Sequence, residues 1–243
     1  MTRFFVEREE MQADSILLTG DNAVHGRVLR LKEGEQVMVC DGQGQECLCR
    51  VDSQTGTEMT LSVLERCKSE AEPPVRVSVY MAFPKAEKLE HVIQKATELG
   101  AYEIVAFPSA RCISRPDEKS LKKKLERWQK IAASAAEQSG RGIIPKVVVL
   151  NSFQAAIERC GAAELSIMLY ENEHATTLKM ALEKGSVSTI SLLSGPEGGL
   201  EPSEVEKAAA MGIQICTLGR RILRCETAPL CALSAVMYAI GEF

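Results

Sequence analysis

No CxxC pair occurs among the nine cysteines of this 243-residue chain, which are scattered from Cys40 to Cys231. That spacing excludes an ordinary zinc-ligand set and a paired disulfide framework, so no metal is expected and the thiols should be reduced and mostly buried. Long apolar runs are also lacking. The opening MTRFFVEREEM offers only three consecutive apolar residues, too few for the apolar region of a secretory signal. The longest weakly polar stretch, 228 to 240, is too short to span a bilayer. A cytoplasmic protein without a membrane partner is the resulting expectation. There is no GK[ST] phosphate loop and no GxGxxG, which counts against nucleoside triphosphates and dinucleotides as ligands. Internal repeats and low-complexity tracts are absent too.

What is present reads as a soluble globular chain, with 45% hydrophobic and 26% charged residues. Its net charge of −4 is unevenly placed. Residues 1–72 hold 8 Lys and Arg against 14 Asp and Glu, a net −6, whereas 73–243 hold 21 against 19, a net +2. Basic groups must therefore act locally rather than through a global field.

The grammar divides at the same place. Before residue 73, short apolar runs at 36–40, 46–51 and 59–64, punctuated by DGQG, predict a small antiparallel sheet or barrel. SEAEPP at 69–74 reads as a linker. After it, strands at 77–83, 102–107, 146–150, 165–170, 189–193 and 213–218 alternate with helical periodicities, including helices near 152–160 and 175–184, so 73–243 is expected to be an α/β domain with a parallel sheet. Leu121, Leu125, Trp128, Ala132 and Ala135 mark one long amphipathic helix whose outer face carries Lys122, Lys123 and Lys124.

Two strand-end loops stand out. SGPEGGL at 194–200 follows the strand TISLL, and ligands of open α/β sheets bind at the carboxyl ends of strands. Taken alone, its glycines fit a tight strand-to-helix connection equally well. LGRRILRCETAPL at 218–230 sets three arginines and Glu226 between an apolar strand and an apolar helix, with Thr227 as a candidate cap and Pro229 in the first turn. Glu226 paired with one arginine and the others in solvent is the plain reading of such a loop. Two adjacent strand-end loops can also embrace one ligand.

Together these two loops resemble the bacterial 16S ribosomal RNA uridine-N3 methyltransferases, of the SPOUT or trefoil-knot class. HGRVLRLKEGE at 25–35, QKATELG at 94–100 and ERWQKIAASAAEQSGR at 126–141 resemble further segments of that family in matching order. The resemblance implies a PUA-like β-barrel over 1–72 and a SPOUT methyltransferase domain over 73–243, with a parallel sheet, a C-terminal trefoil knot and a homodimer. It implies S-adenosylmethionine as cofactor, held between Leu193, Ser194, Gly195, Glu197, Gly198 and Gly199 on one side and Leu218, Gly219, Ile222, Leu223 and Arg224 on the other. Arg224 would be catalytic, with Glu226 orienting the arginines, and the substrate would be 16S rRNA or the small ribosomal subunit. Arg3, His25, Arg27, Arg30, Lys32, Arg141 and Arg221 would meet RNA, while Glu98 either approaches the site or merely pairs near its helix end. Many members have proline between Gly219 and Arg221, where this chain has Arg220. Methylation of a different RNA, for example at a ribose 2′-hydroxyl, and a non-catalytic RNA-binding assembly factor are the alternatives.

Overall fold

The computed structural model describes residues 1–243 except Lys184 and Ser186 and the side chain of Glu118. It is a mixed α/β structure that divides into two compact units, residues 1–72 with 136–144, and residues 73–135 with 145–243.

The first unit is a curled five-stranded sheet in the order β1-β3-β4-β5-β2. Its strands are β1 (Arg3–Phe5), β2 (Ser15–Thr19), β3 (Gln36–Cys40), β4 (Gln45–Gln54) and β5 (Glu58–Lys68). All pairings are antiparallel except that of β1 with β3, which is parallel. The alternation that predicts strands also chooses the inward face: Val37, Val39, Cys47, Cys49, Val51, Met59 and Leu61 are buried in one cluster. Irregularities between Leu48 and Cys49 and between Val51 and Ser53 bend the β4–β5 ribbon, as bulges do. Helix α1 (Gly20–Val28) is an addition to the sequence reading. Its glycines and Asn22 hide it from periodicity, and Gly26 is small because a Cβ there would lie 2.9 Å from Met59 Cε.

Residues 136–144 belong to this unit through a buried ion pair. Arg141 Nη2 lies 2.6 Å from Glu72 Oε2, and the amides of Gly142 and Ile143 donate to Glu72 Oε1 at 3.0 Å. Arg141 is only 3% exposed.

The second unit holds a six-stranded, wholly parallel sheet in the order β11-β9-β10-β6-β7-β8. These strands are β6 (Arg76–Ala82), β7 (Glu103–Phe107), β8 (Lys146–Val149), β9 (Leu165–Leu169), β10 (Thr189–Ser194) and β11 (Gln214–Cys216). Between them run α2 (Lys88–Glu98), α3 (Glu118–Ser139), α4 (Phe153–Cys160), α5 (Leu178–Leu182) and α6 (Pro202–Ala210), with α7 (Thr227–Ala239) last. Strands β7 and β9 are buried at every position, as a sheet covered on both faces requires. Helix ends follow the sequence signals. Ser152 accepts from the Ala155 amide, Thr177 accepts from the Met180 amide, and Gly100 after α2 adopts φ +91°. The expected end of the fifth helix at Lys184 lies outside the described residues. All nine cysteines are free, and among the described residues no helix is long and apolar enough to cross a membrane.

Glu72 serves the Arg141 guanidinium and the Gly142 and Ile143 amides at once, and removing an acceptor shared by buried groups is costly. Glu72→Ala should therefore destabilise the first unit by about 3–5 kcal/mol, read as a lowered urea midpoint in its unfolding transition. A change below about 1 kcal/mol would show that Arg141 finds other support.

Candidate functional site

Strands β11, β9 and β10 are neighbours, so the loops at their carboxyl ends rise side by side. Together with Lys88 at the start of α2 they line a cleft of about 510 Å³. The two loops anticipated from the sequence are both there, but their strands are not adjacent: β9 lies between them. Its loop, Tyr170 to His174, forms a third wall that the sequence reading missed, although the polar run ENEH directly after LSIMLY was the available signal.

Of the residues expected around a ligand, Ser194, Gly195, Glu197, Gly199, Leu218, Gly219, Ile222, Leu223 and Arg224 all line the cleft, as does Arg221. Two do not. Leu193 is fully buried in the core cluster that also holds Tyr80 and Val105, its side chain given to the core rather than to the cleft. Gly198 is backed by Arg111, whose Nη1 donates to the Gly198 carbonyl at 3.1 Å.

The glycines are demanded by geometry at two points. Gly199 has φ +69°, and a Cβ there would sit 2.3 Å from Glu171 Oε1 on the third wall. Gly219 has φ +107°, a left-handed conformation that favours glycine, and its amide and carbonyl both engage Thr217 Oγ1 at 3.2 Å, which fixes the turn at the cleft's edge.

The charges are arranged differently from expectation. Glu226 pairs with Lys88, not with an arginine: Lys88 Nζ lies 3.1 Å from Glu226 Oε2 and 3.0 Å from Glu197 Oε1. One ammonium thus joins the loop after β10 to the loop after β11, and the Lys85 amide adds a second bond to Glu197. Burial pushes both carboxyls up, but hydrogen bonds outweigh it and hold them below the ordinary range: first each residue's own amide, then the Lys85 amide and Lys88 at Glu197, and Cys225 and Lys88 at Glu226. Chiefly through its bond to Glu197, Lys88 is raised in turn. Burial pushes the Cys225 thiol up to about 12, so it stays protonated and donates to Glu226. Lys88 carried no sequence signal because its partners lie more than a hundred residues away.

Arg220, Arg221 and Arg224 are exposed and have no carboxylate partner among the described residues. Thr227 is the first residue of α7, so the cap position falls to Glu226, while Pro229 sits in the first turn as expected. Glu98 pairs with Lys95 at 2.8 Å on its own helix and does not line the cleft.

In the first unit the expected RNA contacts separate into two groups. Arg27, Arg30 and Lys32 are exposed. Arg3 is engaged with Glu46 and Cys40, and His25 Nδ1 lies 2.9 Å from Glu137 Oε1. Arg141 is a correction: buried against Glu72, its guanidinium is part of the core and offers nothing to RNA. Among the described residues no group of three His, Cys, Asp or Glu is placed to hold a metal.

The cleft's volume falls in the range of small-molecule sites, and its walls present backbone groups and exposed cations. Comparison with known proteins gives this geometry its context. Residues 71–237 match the family model described as RNA methyltransferase domain, and residues 18–62 the one described as RNA methyltransferase PUA domain. The chain is 38% identical over 249 residues to the Ribosomal RNA small subunit methyltransferase E of Bacillus subtilis, covering 98% of this chain and 96% of that one. It is 34% identical to the protein of the same name from Mycobacterium bovis, covering 96% and 90%. A crystal structure of the Neisseria gonorrhoeae protein of that name, bound to S-adenosyl methionine, superposes with TM-score 0.87 at 28% identity, covering 98% of this chain and 97% of that one.

Lys88→Met removes the cation that lowers both carboxyls. Their titration midpoints, followed by side-chain carboxyl NMR, should rise at Glu197 and at Glu226. Unmoved midpoints would show that backbone hydrogen bonds alone set them.

Proposed function

The chain belongs to the RNA methyltransferase family, and from that premise we propose that it methylates N3 of a uridine in 16S ribosomal RNA, drawing the methyl group from S-adenosylmethionine. It is an S-adenosylmethionine-dependent rRNA methyltransferase, and the observation that carries this is the three-loop cleft at the carboxyl ends of β11, β9 and β10, within a chain matched over its whole length by relatives of that name.

The cleft fits such a donor. The left-handed backbone at Gly199 and Gly219 brings main chain up to the cleft without side chains in the way, which suits recognition of an adenosine by main-chain groups. When bound, S-adenosylmethionine supplies a methyl group on a positively charged sulfur, open to in-line attack. Ser194, Gly195, Glu197 and Gly199 form one wall around it, Leu218, Gly219, Ile222 and Leu223 the other, and holding two reactants in line removes much of the entropic barrier.

A uracil nitrogen must lose its proton before it attacks, and in this reading the proton passes to solvent water at the open cleft. The exposed guanidinium of Arg224 stabilises the negative charge that then spreads to the uracil oxygens, with Arg221 beside it on nearby phosphate. Glu226, paired with Lys88, orients this loop from the foot of α7 rather than by holding an arginine.

In this reading residues 1–72 are a PUA-like barrel that meets RNA through Arg27, Arg30 and Lys32, and 73–243 are the SPOUT domain, whose loops after β10 and β11 form the trefoil knot. The protein works as a homodimer in the cytoplasm, where ribosomal subunits are. What supports the dimer is α7, which has no charged residue and leaves Cys231 and Tyr238 exposed, Tyr238 to 72%. A helix apolar all round is normally covered.

Nucleoside mass spectrometry of 16S rRNA from cells lacking the gene should show loss of N3-methyluridine. Wild-type protein should restore it, while Arg224→Ala should lower the transfer rate by about 10²-fold or more, as loss of a charge-stabilising group does. An unchanged nucleoside profile would send the substrate assignment to another RNA or another atom.

A further inference from the structure

The chain's densest positive charge lies outside the cleft. Residues 111–130 contain eight Lys and Arg against three Asp and Glu, a net +5 in a chain whose total is −4. The remainder therefore carries −9, so this segment is a local exception rather than a sample of the whole.

Its geometry is ordered. On α3, Lys119, Lys122, Lys123 and Lys130 recur at helical spacing on one face, opposite the buried Trp128 and Ala132. All four are exposed, and none has a carboxylate partner among the described residues. Like charges three and four residues apart weaken a helix, so local helix stability does not account for them. Of the acids in the segment, Asp117 is occupied in accepting from the Ser120 amide at 2.7 Å.

The ridge is also anchored to the cleft. Arg111, at its head, holds the Gly198 carbonyl and pairs with Glu201 at 2.8 Å, so the loop before α3 is fastened to the loop after β10. Arg115 follows, exposed, its guanidinium on the Ser109 carbonyl at 2.7 Å. Cations thus run from the wall of the cleft, through Arg115, onto the outer face of α3 over about 16 Å.

We propose that this ridge is a docking track for the phosphate backbone of the RNA whose base enters the cleft. The proposal rests on the RNA methyltransferase reading and adds the surface that positions the substrate. Such contacts fix register without reading sequence. An acidic protein that binds RNA needs its cations gathered, and this is where they are gathered.

The test uses full-length protein carrying K119Q, K122Q and K123Q together, with K179Q plus K207Q, on exposed lysines elsewhere, as control. Binding to small ribosomal subunits is measured over a range of salt, alongside KM for subunits, kcat and S-adenosylmethionine binding. Each lost phosphate contact should reduce the slope of log K against log salt by about 0.7–0.9, so the triple variant should lose about 2 to 3. Its KM should rise at least about tenfold at physiological salt, with kcat, donor binding and the circular-dichroism melt unchanged. A wild-type slope and KM in the triple variant, or an equal loss in the control, would overturn the track. If the slope falls as expected but wild-type protein transfers no methyl group to subunits, the track stands and the reaction assignment falls.

Discussion

Three parallel strands that end side by side are the constraint on which the rest of this protein depends. Because β9 lies between β10 and β11, loops from three separate parts of the chain meet over one edge of the sheet. Each loop alone is unremarkable: a glycine turn, a polar turn and an arginine-rich turn. Adjacency makes them a cleft, and burial of β7, β9 and β10 under helices on both faces makes their ends a fixed platform.

On that platform the loops are tied by charge. Lys88 reaches from α2 to Glu197 and Glu226, so the two principal walls share one cation. Partly exposed ion pairs contribute little to global stability, and the arrangement is better understood as fixing geometry. It also leaves the exposed arginines of 220–224 without acidic partners among the described residues, available to a substrate rather than to the fold.

Much of this was legible in the sequence because it is local. Alternating strands and helices and the glycine loop all show in runs of neighbours. The misses share a cause, which is pairing across long separations. No periodicity reveals that β9 inserts between β10 and β11, that Glu226 is answered by Lys88, or that Arg141 is consumed by Glu72. Arg141 and an exposed arginine such as Arg27 look alike as letters, and only burial separates a core ion pair from a surface cation. Leu193 and Ser194 are likewise neighbours on one strand, and only burial shows that the first packs in the core while the second lines the cleft.

The central claim is that the three-loop cleft holds the methyl donor, and isothermal titration of the full chain with S-adenosylmethionine tests it most directly. The account predicts one donor site per chain in the wild-type protein and no detectable site in a folded Gly199→Val variant, whose β-branched residue cannot hold the φ of +69° and must reshape the loop. Wild-type binding by that variant, or no binding by the unaltered chain, would contradict it.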